Sequence, residues 1–398
     1  MANSQSVKLC GTGLITHLGK GKPANLARMR TGKANYQSHR LPQFEEAIEA
    51  AYLAINTNAA VTTAEEHLKF MLDSALSEAL REAKLTEAQL RDMPVYIGSS
   101  SYAIAIAEEK YQHELDRELA RMPNNDKLQA IAVRLGGLSQ ISSHLQQTHG
   151  LLGADFSYNT ACTASANAIL SASQSVRSGT SEHALVIGLE AFNTTTLSGF
   201  SSMNLLGRDV MQPFDIKRQG LVLGEGCAAL IFQASEAGES DGGELLVCGG
   251  ASRCDTFSIA TSNPDGSSIA EVMSLALADT GLKPDNIDVI KAHGAANLAS
   301  DSSEARGMHR VFSQIPSLTC LKPYVGHTLG ACGAIEFALL AAALQDGFIP
   351  ATAGFSQPDP TLNIAPETSL QAAMNGHYML NFFGFGGNNC SLIAKYAR

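Results

Sequence analysis

Charge is scarce in this chain and leans one way. Only 17% of its 398 residues are Asp, Glu, Lys or Arg, and 28 basic against 38 acidic side chains leave a formal net charge of −10. That balance argues against a nucleic-acid partner unless a local basic patch exists. Long apolar runs are missing too. The most apolar stretch, Phe337 to Leu344, is short and is closed by Glu336 and Asp346, so no membrane span is expected. The 8 cysteines are scattered with no C-x-x-C pair, which disfavours a zinc site or a dithiol redox centre; no metal is expected. The opening Met-Ala-Asn-Ser-Gln-Ser-Val-Lys has neither the charged nor the apolar part of an export leader. The expectation is a cytoplasmic protein without disulfides, most of whose cysteines are small buried hydrophobes. What remains is a globular composition, 45% hydrophobic, long enough for two domain-sized units.

The chain reads as two copies of one plan. Each begins with a strand that ends in glycine, Val7-Lys-Leu-Cys-Gly-Thr-Gly and Leu245-Leu-Val-Cys-Gly-Gly-Ala. Each continues into a helix in which Leu80, Leu85 and Leu90 of the first copy match Leu277, Leu282 and Ile287 of the second, 197 residues on. A strand and a glycine follow in both, Val95-Tyr-Ile-Gly and Val289-Ile-Lys-Ala-His-Gly. Two further helices, one opening at Cys162 and running to about Arg177, the other following His327 and ending near Gly347, are apolar nearly all round. Such helices belong between layers, not on a surface. Each copy ends on a Gly-rich turn and a strand. Alternation of this kind predicts α/β units on a mixed sheet. The polar stretch Ala234 to Gly243 predicts the junction, giving an N-terminal unit 1–240 and a C-terminal unit 241–398. Two insertions enlarge the first copy: Lys20 to about Glu66, and Glu108 to Asn125, whose charged helical pattern reads as a solvated lid or interface element.

Three side chains carry the chemistry. Cys162 stands where a strand gives way to a helix of small residues, so helix amides point at its sulfur. The helix dipole is expected to lower the thiol pKa and favour the thiolate. His293 and His327 occupy Gly-rich loops at related places in the second copy. A thiolate attacks thioesters to give an acyl-enzyme. One imidazole suffices for a hydrolase; two predict that a second charge, such as the enolate left by decarboxylation of a malonyl-type thioester, is also held. The backbone N–H of Cys162 is one candidate oxyanion donor, and the turn Gly384-Phe-Gly-Gly offers another.

Five ordered motifs complete the pattern: Thr160-Ala-Cys-Thr-Ala-Ser; Pro213-Phe-Asp-Ile-Lys-Arg-Gln-Gly with Gly224-Glu-Gly; His293-Gly with Asp301 and Glu304; Lys322-Pro-Tyr-Val-Gly-His327 running on to Glu336; and Phe383-Gly-Phe-Gly-Gly-Asn-Asn. Together they resemble the β-ketoacyl-acyl-carrier-protein synthases, the decarboxylating, elongating condensing enzymes of Cys-His-His type, from Val7 to the end of the chain. The resemblance implies a thiolase-like fold: two duplicated βαβαβαββ halves in an α-β-α-β-α layering. It also implies that Cys162 is acylated and that His293 and His327 serve decarboxylation. Lys322 and Glu336 become supporting charges of that site, Asp301 and Glu304 structural supports. Phe385 becomes the gating residue whose N–H shares the oxyanion hole. No cofactor is implied beyond the phosphopantetheine arm of the acyl-carrier protein, the expected partner. The family is dimeric through the central sheet, so a homodimer, or a heterodimer with a homologous subunit, is expected.

The chain departs from that family in places. Ala295 and Asn297 stand where two threonines usually contact the pantetheine arm. Ser99-Ser-Ser-Tyr102-Ala103 replaces a glycine pair near the acyl pocket, and Tyr102 is expected to reshape it. Phe200 joins Ala295, Asn297 and Tyr102 as candidate substrate contacts, and Gln212 replaces an arginine before Pro213. These changes point to a specialised type II fatty-acid, polyketide or polyene pathway. Two alternatives stand beside it: a chain-length-controlling partner with little activity alone, and a thiolase-type enzyme using coenzyme A. Docking of an acidic carrier needs local positive charge, for which Arg208 and the cluster Lys20, Lys22, Arg28 and Arg30 are candidates.

Overall fold

The computed structural model describes residues 6–33, 37–41, 48–57, 61–119, 137–235 and 242–398. The strands of its main sheet, in chain order, are β1 (Ser6–Thr16), β2 (Val95–Gly98), β3 (Asp155–Tyr158), β4 (His183–Glu190) and β5 (Gly226–Ser235), then β6 (Glu244–Cys254), β7 (Ile287–Lys291), β8 (Ser317–Thr319), β9 (Gly376–Phe383) and β10 (Asn388–Ala397). Their spatial order is β8-β7-β9-β10-β6-β1-β5-β4-β2-β3, with a short strand Gly19–Lys20 hairpinned onto β1. The two halves therefore share one topology. In each, the first strand neighbours the fifth, then come the fourth, second and third, and the halves meet where β1 pairs antiparallel with β6 through Val7 and Val247. Even the irregularities repeat. β1 slips register against β5 between Leu9 and Gly11, and β6 slips against β10 between Val247 and Gly249. Each bulge falls at the cysteine of the matched motif, Cys10 or Cys248.

The helices used below are α1 (Lys22–Met29), α2 (Ala64–Ala83), α3 (Tyr102–Leu119), α4 (Ser139–His149), α5 (Ala164–Arg177), α6 (Thr194–Ser202), α7 (Ser267–Thr280), α8 (Leu298–Val311) and α9 (Cys332–Gln345). α5 and α9 form the central layer. In α9 every residue from Cys332 to Leu344 is buried, as an all-round apolar helix requires. The two helices approach so closely that a Cβ on Gly333 would sit 2.2 Å from the backbone nitrogen of Ala166. One core cluster joins α5 and α9 to strands of both halves; a second packs α2 and α4 on the outer face of the N-terminal half, and a third packs α7 and α8 on the outer face of the C-terminal half. The layering is α-β-α-β-α, the thiolase-like arrangement.

Several sequence expectations map onto these elements with adjustments. α5 ends at Arg177, and Gly179 takes a left-handed φ of 73° one residue past the cap. The matched leucine helix starts earlier than its periodic stretch, because Thr63 and Glu66 form a reciprocal capping box at the head of α2. It also stops sooner than expected, at Ala83, so that Leu85 lies past it and Leu90 in a separate short helix Glu87–Asp92, just as α7 stops at Thr280 before Leu282 and Ile287 opens β7. The first insertion contributes α1 and the strands Gln37–Leu41 and Ile48–Leu53. The second contributes α3 up to Leu119; the remainder of 108–125, and most of the junction 234–243, lie outside the described residues. Within α3, Glu108 is tied down: its carboxylate accepts the N–H groups of Thr194 and Thr195 at the head of α6. Among the described residues no helix is long and apolar enough to cross a membrane.

Candidate active site

Every chemical group of interest sits beyond the carboxyl end of a parallel strand: Cys162 after β3, His293 after β7, His327 after β8 and Phe385 after β9. That rim is where open α/β sheets place their sites. Cys162 is raised by a strained elbow. Ala161 adopts φ 49°, and Leu329, its counterpart ahead of α9, adopts φ 45°. A left-handed non-glycine residue costs about 1–2 kcal/mol, so the sharp turn is held by its surroundings. Thr160 supplies part of that hold by accepting from Thr163 Oγ1 and Asn167 Nδ2. Gly384 leaves the space in front clear: a Cβ there would lie 3.1 Å from the Cys162 backbone nitrogen.

The Cys162 sulfur lies 3.1 Å from His327 Nε2. His327 Nδ1 accepts the N–H of Leu329 at 3.2 Å, so the neutral ring carries its proton on Nε2 and donates toward the sulfur. The His327 main chain is pinned in turn, its N–H bonded to Val222 O at 2.7 Å and its C=O accepting from Gly224 at 3.2 Å. The expected lowering of the Cys162 pKa is not what the enclosed site produces. Burial pushes the thiol up to about 11, against the opposing pull of the Lys322 ammonium and the N–H of Phe385. Desolvation of a thiolate outweighs the helix terminus while the cavity is closed around it.

His293 is held in the same sense. Its Nδ1 accepts from Lys322 Nζ at 3.3 Å and from the Phe383 N–H at 3.3 Å, which leaves Nε2–H as its donor. The two imidazoles meet edge to face with centroids 5.4 Å apart. Burial first, then Lys322, presses both well below their ordinary pKa. Both rings are therefore neutral N–H donors at physiological pH. Behind them lies a fully buried ion cluster: Glu336 Oε1 binds Lys322 Nζ at 2.7 Å, and Glu336 Oε2 binds Lys291 Nζ at 2.6 Å. A carboxylate inside an all-apolar helix is tolerable only when paired. Burial opposes the charge of Lys322, yet Glu336 holds it above its ordinary value; Lys291 is pushed down by burial despite the same partner. The sequence reading missed Lys291, which also donates to Asn381 O at 2.8 Å and lies over the Phe382 ring. Its position two residues before His293 was the available signal.

The expected supports stand behind the loop. Glu304 accepts the N–H groups of His293 and Gly294 at 2.7 and 2.9 Å, fixing the turn that aims the imidazole. Asp301 accepts the Phe214 N–H at 2.8 Å, and burial raises its pKa to about 7. One further buried carboxylate went unrecognised. Glu190, at the end of β4, accepts the N–H and hydroxyl groups of Ser100 and Ser101 and the Gly330 N–H at 2.9 Å. The Ser99–Ser101 stretch is thus clasped to the His327 loop through Glu190 and is not among the residues lining the cavity over Cys162.

A cavity of about 290 Å³ opens over Cys162, walled by His293, His327, Phe200, Phe385 and Asn297 among others. Phe385 stacks on Phe200 with ring centroids 5.5 Å apart. Ala295 also lines the cavity, and Asn297 spends its carbonyl oxygen capping α8 through Ala299 and Ser300. Tyr102 corrects the sequence reading. It is not among the residues lining this cavity and packs, at the start of α3, in the outer core with Ile97 and Ile106. Gln212 bonds Gly354 O at 2.9 Å. Arg208 is exposed, close in sequence to Leu205 of the cavity wall. The other basic cluster is tied up locally: Lys22 pairs with Glu82 at 2.6 Å, Arg30 with Asp346 at 2.6 Å, and Lys20 lies over Phe70. Asp346 is at the far end of α9, about 20 Å from the site by helix rise.

Comparison with known proteins agrees with this geometry. Residues 22–237 match the Beta-ketoacyl synthase, N-terminal domain, and residues 246–356 match the Beta-ketoacyl synthase, C-terminal domain. A 3-oxoacyl-[acyl-carrier-protein] synthase 2 of Synechocystis sp. is 30% identical over 337 residues, spanning 81% of this chain and 79% of that protein. Among solved structures, one described as a type II PKS acyl-carrier protein in complex with its ketosynthase bound to the hexaketide superposes with a TM-score of 0.85 at 20% identity, covering 99% and 100% of the two chains. The ishigamide ketosynthase/chain length factor superposes with a TM-score of 0.83 at 24% identity, again over 99% and 100%. At those identities the two structures bear on the fold alone. The chain belongs to the β-ketoacyl synthase family and is an acyltransferase of the condensing-enzyme type.

Proposed function

We propose that this protein condenses an acyl group carried on Cys162 with a malonyl unit presented on an acyl-carrier protein, within a specialised type II pathway. The observation that carries the reading is the Cys162 sulfur 3.1 Å from a His327 Nε2–H, with a second neutral imidazole, His293, beside it. In the first half-reaction Cys162 Sγ attacks the acyl thioester and the carrier's thiol departs. The proton lost from Cys162 ends on that thiol, and the oxyanion is held by the N–H groups of Cys162 and Phe385. In the second, the malonyl carboxylate leaves as CO2 and its bonding pair moves to the thioester oxygen as an enolate. Two N–H donors aimed at that oxygen, from His293 and His327, stabilise it without becoming charged themselves. The enolate carbon attacks the acyl carbonyl, and the displaced Cys162 thiolate takes a proton from water. No further cofactor enters this scheme. We assign Lys322, Glu336, Asp301 and Glu304 to holding the imidazoles, and Ala295, Asn297 and Phe200 to the substrate wall.

The same reading gives the protein a homologous partner subunit. β3 is a sheet edge whose Phe156 is 44% exposed, and it is the natural strand to continue across a dimer. One observation favours the role of a chain-length partner instead: Ala295 has no hydroxyl for the pantetheine arm, and the Asn297 side chain is occupied in capping. Incubation of the chain alone with malonyl-acyl-carrier protein and an acyl-carrier thioester separates the readings. CO2 release with a β-ketoacyl product supports the synthase; product only after a homologous subunit is added supports the partner role. Turnover of acetyl-coenzyme A without CO2 release would point to the thiolase-type alternative.

A further inference from the structure

On the outer face of the N-terminal half, α2 and α4 lie side by side, with Leu68, Leu72 and Ala75 in the same core cluster as Ile141 and Leu145. At the rim of that contact three ligand-type side chains converge. Asp73 of α2 offers Oδ1, and His144 and His149 of α4 point their Nε2 atoms at it from 2.8 and 2.9 Å. All three atoms lie within 4.8 Å of one another. The geometry points to a binding site for a zinc-class divalent cation, held by Asp73, His144 and His149, that staples α4 to α2.

The donor set selects the cation. Two imidazoles and one carboxylate suit zinc and its neighbours, whereas magnesium and calcium take oxygen ligands. Tetrahedral coordination at about 2.0 Å places ligand atoms about 3.3 Å apart, so the two Asp–His distances need to lengthen by only about half an ångström, and the two imidazole nitrogens already stand within 4.8 Å of each other. A water completes the fourth position. The side chains are reachable: His144 and His149 are 13% and 15% exposed and Asp73 is 36% exposed. Spacing of five residues normally splays two side chains around a helix. His149, however, is the last residue of α4, and Gly150 turns left-handed with φ 70°, which frees the ring to swing back toward His144. Thr148 Oγ1 stands 3.4 Å from His144 Nδ1. With Nε2 on the metal, the His144 ring proton sits on Nδ1, where that hydroxyl accepts it. Asp73 is 71 and 76 residues away from the two histidines along the chain, so the bound ion closes a long loop. None of the three residues lines the cavity over Cys162.

The test uses the full chain, stripped with a chelator and then exchanged. Zinc titrated by calorimetry should bind with one equivalent at this site and raise the melting temperature. Cobalt(II) should give visible d–d bands of a tetrahedral site with no sulfur-to-metal charge transfer in the near ultraviolet. That absence separates this cluster from any binding at Cys162. His149→Gln should weaken zinc binding about tenfold or more and abolish the zinc-dependent rise in melting temperature. Absence of saturable binding to the unmodified chain, a charge-transfer band accounting for the bound cobalt, or affinity unchanged in His149→Gln would each leave only carboxylate–imidazole hydrogen bonds here. None of these results depends on condensing activity.

Discussion

The sulfur of Cys162 is where burial and hydrogen bonding pull hardest against each other. Burial lifts its pKa to about 11, while Lys322 and the Phe385 N–H act downward. Opening of the cavity by a substrate arm, or parting of the Phe200–Phe385 stack, relieves the burial and leaves the attraction of Lys322 and the Phe385 N–H in place. The charge behind the imidazoles is adjustable in the same way. Two ammonium groups share the one carboxylate of Glu336, and the surplus positive charge helps keep His293 and His327 neutral. Lys291→Met removes that surplus. The acid limb of the pH dependence of malonyl decarboxylation should then move to higher pH, with substrate binding little changed; an unmoved limb would reduce Lys291 to a packing residue. Asp301 makes a prediction about stability. Its folded pKa, about 7, lies above the ordinary aspartate value, so its contribution is fully present below about pH 4 and is lost as the pH rises through 7, at up to about 1.4 kcal/mol per unit. Asn at 301 keeps an acceptor for the Phe214 N–H but cannot ionise. Denaturant midpoints of Asp301→Asn should therefore fall less between pH 4 and 7 than those of the unmodified protein.

At the level of elements, the close approach of α5 and α9 decides whether the site exists, because each helix carries one side of it. Gly333→Ala places a Cβ 2.2 Å from the Ala166 backbone nitrogen, where nothing flexible can give way. It should cost about 3 kcal/mol or more and take activity with it. Gly179→Ala, left-handed but with open space around it, should cost only about 1–2 kcal/mol; urea midpoints compare the two. The duplicated plan was legible in the sequence because it is written locally: a strand, a glycine, matched leucines and a small-residue helix recur in order. Cys162, His293 and His327 stood out for the same reason, each beside glycines or small residues that only a close approach needs. Lys291 and Glu190 did not. Their partners, Glu336 on α9 and the Ser100–Gly330 loops, are supplied by other elements, and nothing adjacent in the chain announces them. Nor was the placement of Tyr102 legible: it lies in the outer core and off the cavity wall, and its sequence neighbours do not say which layer the start of α3 packs into.

For the whole molecule, the proposed carrier-protein partner sets a question of charge, since both it and this chain are acidic. Arg208 is exposed beside the segment that walls the cavity, whereas Arg30 is paired with Asp346 at the far end of α9. Arg208→Glu should weaken carrier binding about tenfold at low salt and lose most of that effect as salt is raised; Arg30→Glu should leave it nearly unchanged. Equal effects would move the docking face elsewhere. The account as a whole turns on acylation of one sulfur. Intact-mass measurement and peptide mapping of the chain after incubation with an acyl-carrier thioester test it most directly. A single acyl adduct on the peptide containing Cys162, absent from Cys162→Ala, is the predicted result. An unmodified Cys162, both alone and with a homologous subunit present, or an adduct that survives Cys162→Ala, would contradict it.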